Sequence, residues 1–106
     1  MFIKYADLDM LDFFENEPIF IGEEMEAKFI YTMKDAHQFS MALMVDTYEK
    51  QIDISITYNN NFIFTGLFAH VLEIKKSGDV LLVEIESKKR LIIKKYPYMG
   101  IVIENM

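Results

Sequence analysis

The chain contains no cysteine among its 106 residues. That absence excludes disulfides, thiolate metal sites and cysteine nucleophiles, and it fits a reducing compartment. The N-terminus has no basic segment followed by an apolar run, so no secretory signal is expected. No apolar stretch approaches the roughly 20 residues that a membrane helix needs. We therefore expect a cytoplasmic protein that makes no contact with membranes.

Proline and glycine are also scarce, with two and four copies respectively. None of them forms a linker, and the sequence shows no internal repeat, so residues 1–106 are predicted to be a single domain. Apolar residues make up 52% of the chain and charged residues 26%. This composition favours one packed core over disorder.

Basic residues are too few to balance the acidic ones. The chain has 11 Lys and Arg against 17 Asp and Glu, which gives a net charge of −6. That balance disfavours nucleic acid as a partner, because phosphate contacts need cationic surface. The acids are concentrated in the first 26 residues, where eight acids face one base and the net charge is −7.

A basic segment lies near the other end of the chain. Residues 75–95 contain seven bases and three acids, and Arg90 is their only arginine. Specific nucleic-acid recognition favours arginine, so a lysine-guarded edge strand explains this segment better. Pairing of the basic segment with the acidic one inside the fold is a further interpretation.

Apolar residues alternate with polar ones over most of the chain, which is typical of half-buried strands. The alternation covers residues 25–33, 39–45 and 52–58, then 62–76 as one long strand or two short ones, then 81–86, 90–95 and 98–104. Asn59–Asn61 and Ser77-Gly78-Asp79 are predicted turns, and Gly66 a bulge or break. The fold class predicted is mostly β (α+β), with about seven antiparallel strands in a strongly curled sheet or sandwich.

One short helix is predicted before these strands. Residues 7–15 place Leu8, Leu11 and Phe14 at helical spacing, with Asp7 as a candidate N-cap and Asp9 in the first turn. The helix should end before Pro18.

No arrangement of residues predicts catalysis or metal binding. His37 and His70 are the only general-base candidates near neutral pH, and both are expected at the rim of an apolar sheet face as structural histidines. Ser40 and His37 lie three residues apart on opposite strand faces, so they make no triad. No metal-ligand spacing is present. We expect no enzyme activity, no cofactor and no metal.

The acidic N-terminal segment is the candidate binding surface. It mixes carboxylates with large apolar residues, a combination found at binding hot spots, although a solvated charged surface explains it too. The predicted partner-binding residues are Asp7, Asp9, Asp12, Phe13, Glu15, Glu17, Phe20, Glu23 and Glu24.

The N-terminal residues also carry a family resemblance. Leu11, Phe13-Phe14, Pro18 and Phe20 read Leu-x-Phe-Phe-x-x-x-Pro-x-Phe before the ladder of strands. This arrangement resembles one group of small immunity proteins from bacterial polymorphic toxin systems. That group carries a His-Asp pair where this chain has Ile21-Gly22, so no binding residue is carried over. The resemblance implies a cytoplasmic, non-enzymatic inhibitor that binds a toxin.

These observations favour an immunity protein whose acids cover the basic active-site cleft of a cognate toxin. A basic cleft is what a toxin acting on nucleic acid requires. Two other hypotheses remain. One is a homo-oligomeric assembly module of the kind found in phages, joined through an exposed edge strand, and a homodimer is compatible with either role. The other is a small-ligand binder with an interior lined by Phe29, Tyr31 and Phe39.

Overall fold

A computed structural model describes residues 3–21 and 28–105 of the chain. Its elements, in chain order, are α1 (Asp7–Phe14), β1 (Ile19–Ile21), β2 (Lys28–Lys34), β3 (Phe39–Asp46), β4 (Gln51–Tyr58), β5 (Asn61–Phe68), β6 (Val71–Ser77), β7 (Val80–Ile85), β8 (Lys89–Lys94) and β9 (Gly100–Asn105). The predicted class, mostly β with one short N-terminal helix, is confirmed.

The strands form two antiparallel sheets. The larger has the order β1-β2-β3-β4-β5 and the smaller the order β6-β7-β8-β9, so within each sheet strands adjacent in the chain pair with each other. This connectivity follows from the short turns, because antiparallel strands need only a few linking residues. Asn59 and Asn60 turn at φ 50° and 65°, and Gly78 turns at φ 59°, as predicted.

The two sheets and the helix share one core. Every second side chain of the inner strands is buried, as Leu43 on β3, Ile54 on β4 and Val83 on β7 illustrate. Each such side chain contributes about 1.5–3 kcal/mol when it leaves water. The alternation noted in the sequence therefore marks the faces of the two sheets that meet.

The strand that contains Gly66 runs without a break at that residue. The rings of Phe64 and Phe68 close over Gly66, and a Cβ there would lie 2.9 Å from the Phe68 ring. The register shift falls instead at Ile63, an extra residue of β5 that lies opposite the step from Ile56 to Thr57 of β4. The chain changes sheets at His70, which has a φ of 60°. The prediction of a bulge or break at Gly66 was therefore wrong, because two aromatic rings fill the space that the missing side chain leaves.

With Asp7 as the N-cap, the helix would begin at Leu8, but it begins one residue earlier. Ala6 is the N-cap and makes no side-chain hydrogen bond, while Asp7 is the first helical residue. Asp7 therefore acts only through its charge on the first turn, not as a cap. The backbone N–H of Glu15, which is left-handed at φ 58°, donates to the Leu11 carbonyl and ends the helix.

Burial holds this two-turn helix in place, since a helix so short is not stable alone. Met10, Phe13 and Phe14 are buried, and the Phe14 ring stacks on Tyr31 of β2 at 5.4 Å between centroids. Phe29 and Phe39 pack against the same core. Aromatic side chains therefore fill, at this point, the interior that the small-ligand hypothesis requires to be open.

The N-terminal segment covers one edge of the smaller sheet. The Lys4 N–H donates to the Leu72 carbonyl at 3.0 Å, and the Ile74 N–H donates to the Lys4 carbonyl at 2.9 Å. Residues 3–5 thus occupy the open side of β6, the first strand of that sheet. This leaves α1 beside both sheets.

Candidate functional site

Two of the helix carboxylates bind a lysine of the smaller sheet. The Asp12 carboxylate lies 2.9 Å from the Lys76 ammonium, and Asp9 accepts a hydrogen bond from the Lys76 backbone N–H at 3.2 Å. The Asp12 hydrogen bond raises the pKa of Lys76. Asp9 and Asp12 therefore also attach α1 to β6, across 67 residues of sequence in the case of Asp9.

A second lysine lies at the C-terminal end of the helix. The Lys95 ammonium donates to the Phe13 carbonyl at 2.7 Å, lies 3.9 Å from the Glu15 carboxylate and sits over the Phe13 ring. A cation at a helix C-terminus is favourable because the last carbonyls carry partial negative charge. Internal pairing of the acidic and basic segments, which the sequence left open, is thus present at Lys76 and Lys95.

Two other predicted carboxylates, Asp7 and Glu17, are exposed and make no ion pair in residues 3–21 and 28–105. Asp7 lies near Tyr5 and Tyr31, where burial chiefly raises both tyrosine pKa values and the Asp7 charge raises them further. Against the five carboxylates of residues 7–17 stand two ammonium groups, Lys76 and Lys95. The surface therefore keeps a net negative charge. We call these five carboxylates, with Ile19 and Phe20, the acidic face.

The two predicted aromatic anchors have different positions. Phe20 lies on edge strand β1, with 49% of its surface exposed and its ring 5.3 Å from the Phe29 ring. Phe13 is fully buried. Its proposed role as a surface anchor is therefore corrected, because the helix turns this side chain into the core. Glu23 and Glu24 lie outside the described residues.

A shallow groove borders the acidic face. It lies on the outer surface of the larger sheet, has a volume of about 740 Å³ and begins at Glu17 and Ile19. Small side chains form its floor, namely Thr32, Ala42 and Ser55, and register places all three in one row across the sheet. Beyond them the hydroxyl groups of Ser40 and Thr57 hydrogen-bond to each other.

The sequence analysis did not predict the groove, although the sequence contains a pattern that indicates it. Thr32, Ala42 and Ser55 occupy solvent-facing positions of three successive strands, and all are small. Their alignment depends on the register of three strands, which the alternation alone does not fix.

The two histidines have different surroundings. The His37 ring packs against Tyr98 at 5.7 Å, and the His70 ring lies 3.9 Å from the Glu86 carboxylate on the surface. Within the described ranges, no group of three His, Cys, Asp or Glu side chains is placed to hold a metal ion. A smaller cleft of about 390 Å³ beside His37 is lined partly by Glu15 and Lys95.

Three bases of residues 75–95 are paired within the fold. Arg90 pairs with Glu84 at 2.8 Å on the smaller sheet. Lys76 and Lys95, as described, face the helix acids. As for membranes, α1 is the only helix in residues 3–21 and 28–105, and it is too short to span a bilayer.

The fold has a close counterpart among solved structures. The chain matches a chain in the structure described as a contact-dependent growth inhibition toxin – immunity protein complex from Klebsiella pneumoniae 342. The TM-score is 0.82 with 25% sequence identity, and the match covers 98% of each chain. The chain resembles a small immunity protein. The resemblance noted from the N-terminal residues is thereby confirmed. The structural match is broader than those residues, since it covers 98% of the chain.

Comparisons at the level of sequence add nothing further. No protein-family model matches the chain, and no curated protein matches it.

Proposed function

We propose that this chain is an immunity protein that binds a cognate bacterial toxin and neutralises it by covering its active site. The observation that carries the proposal is the fold likeness over 98% of both chains to a member of a toxin–immunity complex. The inhibitor works without catalysis, cofactor or metal, because occlusion requires only a stable complementary surface. Its place of action is the cytoplasm, where a toxin that attacks nucleic acid meets its substrate.

The acidic face is the proposed contact surface. Its carboxylates outnumber the lysines that pair with them, and Asp7 and Glu17 are free of the ion pairs described above. A negative surface suits a toxin whose cleft is basic, because complementary potentials speed association and align the partners. Glu23 and Glu24 extend the same proposal along the sequence.

Phe20 and Ile19 supply apolar contact beside those charges. Both are exposed on β1, but successive strand residues point to opposite faces of the sheet. Ile19 lines the groove with its recess of small side chains, whereas Phe20 lies against Phe29. An apolar anchor next to a recess excludes water from the charged contacts, which strengthens them. Asp9, Asp12 and Glu15 add to the negative electrostatic potential of this surface, although they also contact Lys76 and Lys95 within the fold.

The test is rescue of growth and measured binding. The product of the reading frame directly upstream is tested as the candidate toxin. It is expressed with or without this chain, and binding kinetics are recorded with the purified pair. We expect the wild-type chain to restore growth. The double substitution Asp7→Lys and Glu17→Lys should slow association by about tenfold at low salt, with a smaller effect at high salt.

A matched control carries the same change of charge elsewhere. Glu86→Lys and Glu104→Lys alter exposed acids at the end of the smaller sheet that is remote from Lys76 and Lys95. They should leave the association rate nearly unchanged. Failure of the wild-type chain to bind the toxin contradicts the proposed function, whereas equal slowing by both double variants contradicts only the choice of surface.

A further inference from the structure

The last strand of the larger sheet is unusual for its lack of charge. No Asp, Glu, Lys or Arg occurs between Asp53 and Glu73, although charged residues make up 26% of the chain. This interval contains all of β5, which reads Asn-Phe-Ile-Phe-Thr-Gly-Leu-Phe. Edge strands are ordinarily protected by charge, by proline or by a covering segment, because their free backbone groups attract other strands.

In the part of the chain that the structure describes, β5 has no charge, no proline and no covering segment. Its one irregularity is the extra residue Ile63, and from Phe64 to Phe68 its pairing with β4 is regular. It pairs with β4 on one side only. The edge strand β6, by contrast, is covered by the segment around Lys4, and β1 has only three residues. At eight residues, β5 is long enough to pair with another strand.

Apolar side chains add to the open backbone. Phe62 is 71% exposed, Ile63 55% and Leu67 63%. These are large exposures for residues of their type, and they lie within six positions of one strand. A long, uncharged, apolar edge is a surface that binds a further strand.

We propose that β5 pairs antiparallel with β5 of a second copy of this chain, which joins the two larger sheets into one sheet of ten strands. The net charge limits where two copies can meet. Each copy carries −6, so two copies repel each other unless their contact surface carries no charge. β5 is such a surface, which is why a second copy is its proposed partner. A strand paired with itself about a twofold axis also satisfies both edges at once. The inference does not depend on the proposed toxin.

The size of the contact sets its strength. Each exposed β5 side chain offers on the order of 100 Å², so the pair buries less than the ~1,600 Å² of a standard interface. The dimer should therefore be in reversible equilibrium with the monomer. β1 and β5 are opposite edges of one sheet, and Phe62 is the one residue of β5 that lines the groove beside Glu17 and Ile19. Dimerisation therefore leaves the carboxylates of the acidic face free.

The experiment measures mass in solution over a range from low to high micromolar concentration, by light scattering and sedimentation. We expect the wild-type mass to rise from 12.5 kDa toward twice that value. Leu67→Lys should weaken self-association by at least about tenfold, since it puts a charge into an otherwise uncharged strand contact in each copy. Circular dichroism confirms that the variant folds.

The control is Ile103→Lys on β9, an exposed apolar residue on the edge of the other sheet. It should dimerise like the wild type. A wild-type chain that stays monomeric throughout, or a dimer that Ile103→Lys abolishes and Leu67→Lys leaves intact, overturns the proposal.

A second measurement does not depend on a destabilising variant. Because the chain has no cysteine, Thr65→Cys at the middle of β5 can be labelled at one position with a nitroxide. Paired strands lie about 4.8 Å apart, so the two labels of a dimer should show strong dipolar coupling. A dimer without that coupling is joined elsewhere and also overturns the proposal.

Discussion

β1 and β5 are the two edge strands of the larger sheet and are separated by the three strands β2, β3 and β4. The residues that surround them differ. Next to β1 in the sheet is β2, on which α1 packs together with β6. The acids of this helix pair with Lys76 and Lys95, and its aromatic residues enter the core. Beside β5 there is neither charge nor covering segment among the described residues. We therefore propose one edge as the contact for a charged partner of another kind, and the other as the contact for the uncharged β5 strand of a second copy.

The largest difference between these edges should appear in stability. Phe14→Ala removes a buried ring that stacks on Tyr31 beneath the acidic face, and we expect a loss of about 3–5 kcal/mol in the free energy of unfolding. Phe62→Ala on β5 removes an exposed ring and should change it by less than about 0.5 kcal/mol in dilute protein. Urea denaturation of both variants measures the contrast. Equal losses would mean that the two edges are built alike.

Alkaline pH should weaken the helix side next. Burial raises the pKa of Tyr31, and the same cause, with Asp7, raises that of Tyr5. A raised pKa in the folded state means that the folded chain holds the proton longer, so stability falls once pH exceeds the ordinary tyrosine pKa of about 10. We expect a decrease of about 1.4 kcal/mol per pH unit for each such group above that pH.

Urea titrations from neutral pH to beyond the tyrosine range check this slope. Tyr31→Phe keeps the ring that stacks on Phe14 but removes the titrating group, so it should flatten the alkaline decrease. The pKa of Lys76, raised by Asp12, acts in the same direction at higher pH. An unchanged slope in Tyr31→Phe would contradict the assignment.

The smallest effect should come from the exposed ion pair that links the helix to β6. Asp12→Asn removes the charge 2.9 Å from the Lys76 ammonium, and a solvated pair of this kind contributes little to stability. We expect a barely altered unfolding midpoint together with a lower Lys76 pKa, observed by NMR of its ammonium. A large loss of stability would show that the charged face itself holds the helix.

Local patterns in the sequence were enough to predict most of the fold. Alternation marked the strands from Phe39 onward, and Asn59-Asn60 and Gly78 marked turns, because side-chain period and positive φ are local properties. β1 was missed, since its three apolar residues show no alternation. The break placed at Gly66 lies instead at His70, where no glycine signals it.

The candidate site was less accessible to prediction. The sequence analysis named the acids of residues 7–17 but assigned Phe13 to the surface, whereas Phe13 is buried. The sequence alone does not show which side of a short helix faces the core, so the position of an aromatic residue on it is not determined. The contacts of Lys76 and Lys95 join residues more than 60 positions apart. Only the arrangement of both sheets around α1 brings these residues together.

The most direct test of the two-edge account is the mass of the complex with the toxin, measured by light scattering at a concentration where the wild-type chain alone is dimeric. If the acidic face binds the toxin while β5 binds a second copy, the wild-type complex contains two copies of each protein. The Leu67→Lys variant then forms a complex with one of each and keeps its affinity for the toxin. A wild-type complex with one of each would contradict the account, because it would mean that the toxin and the second copy compete for the same surface.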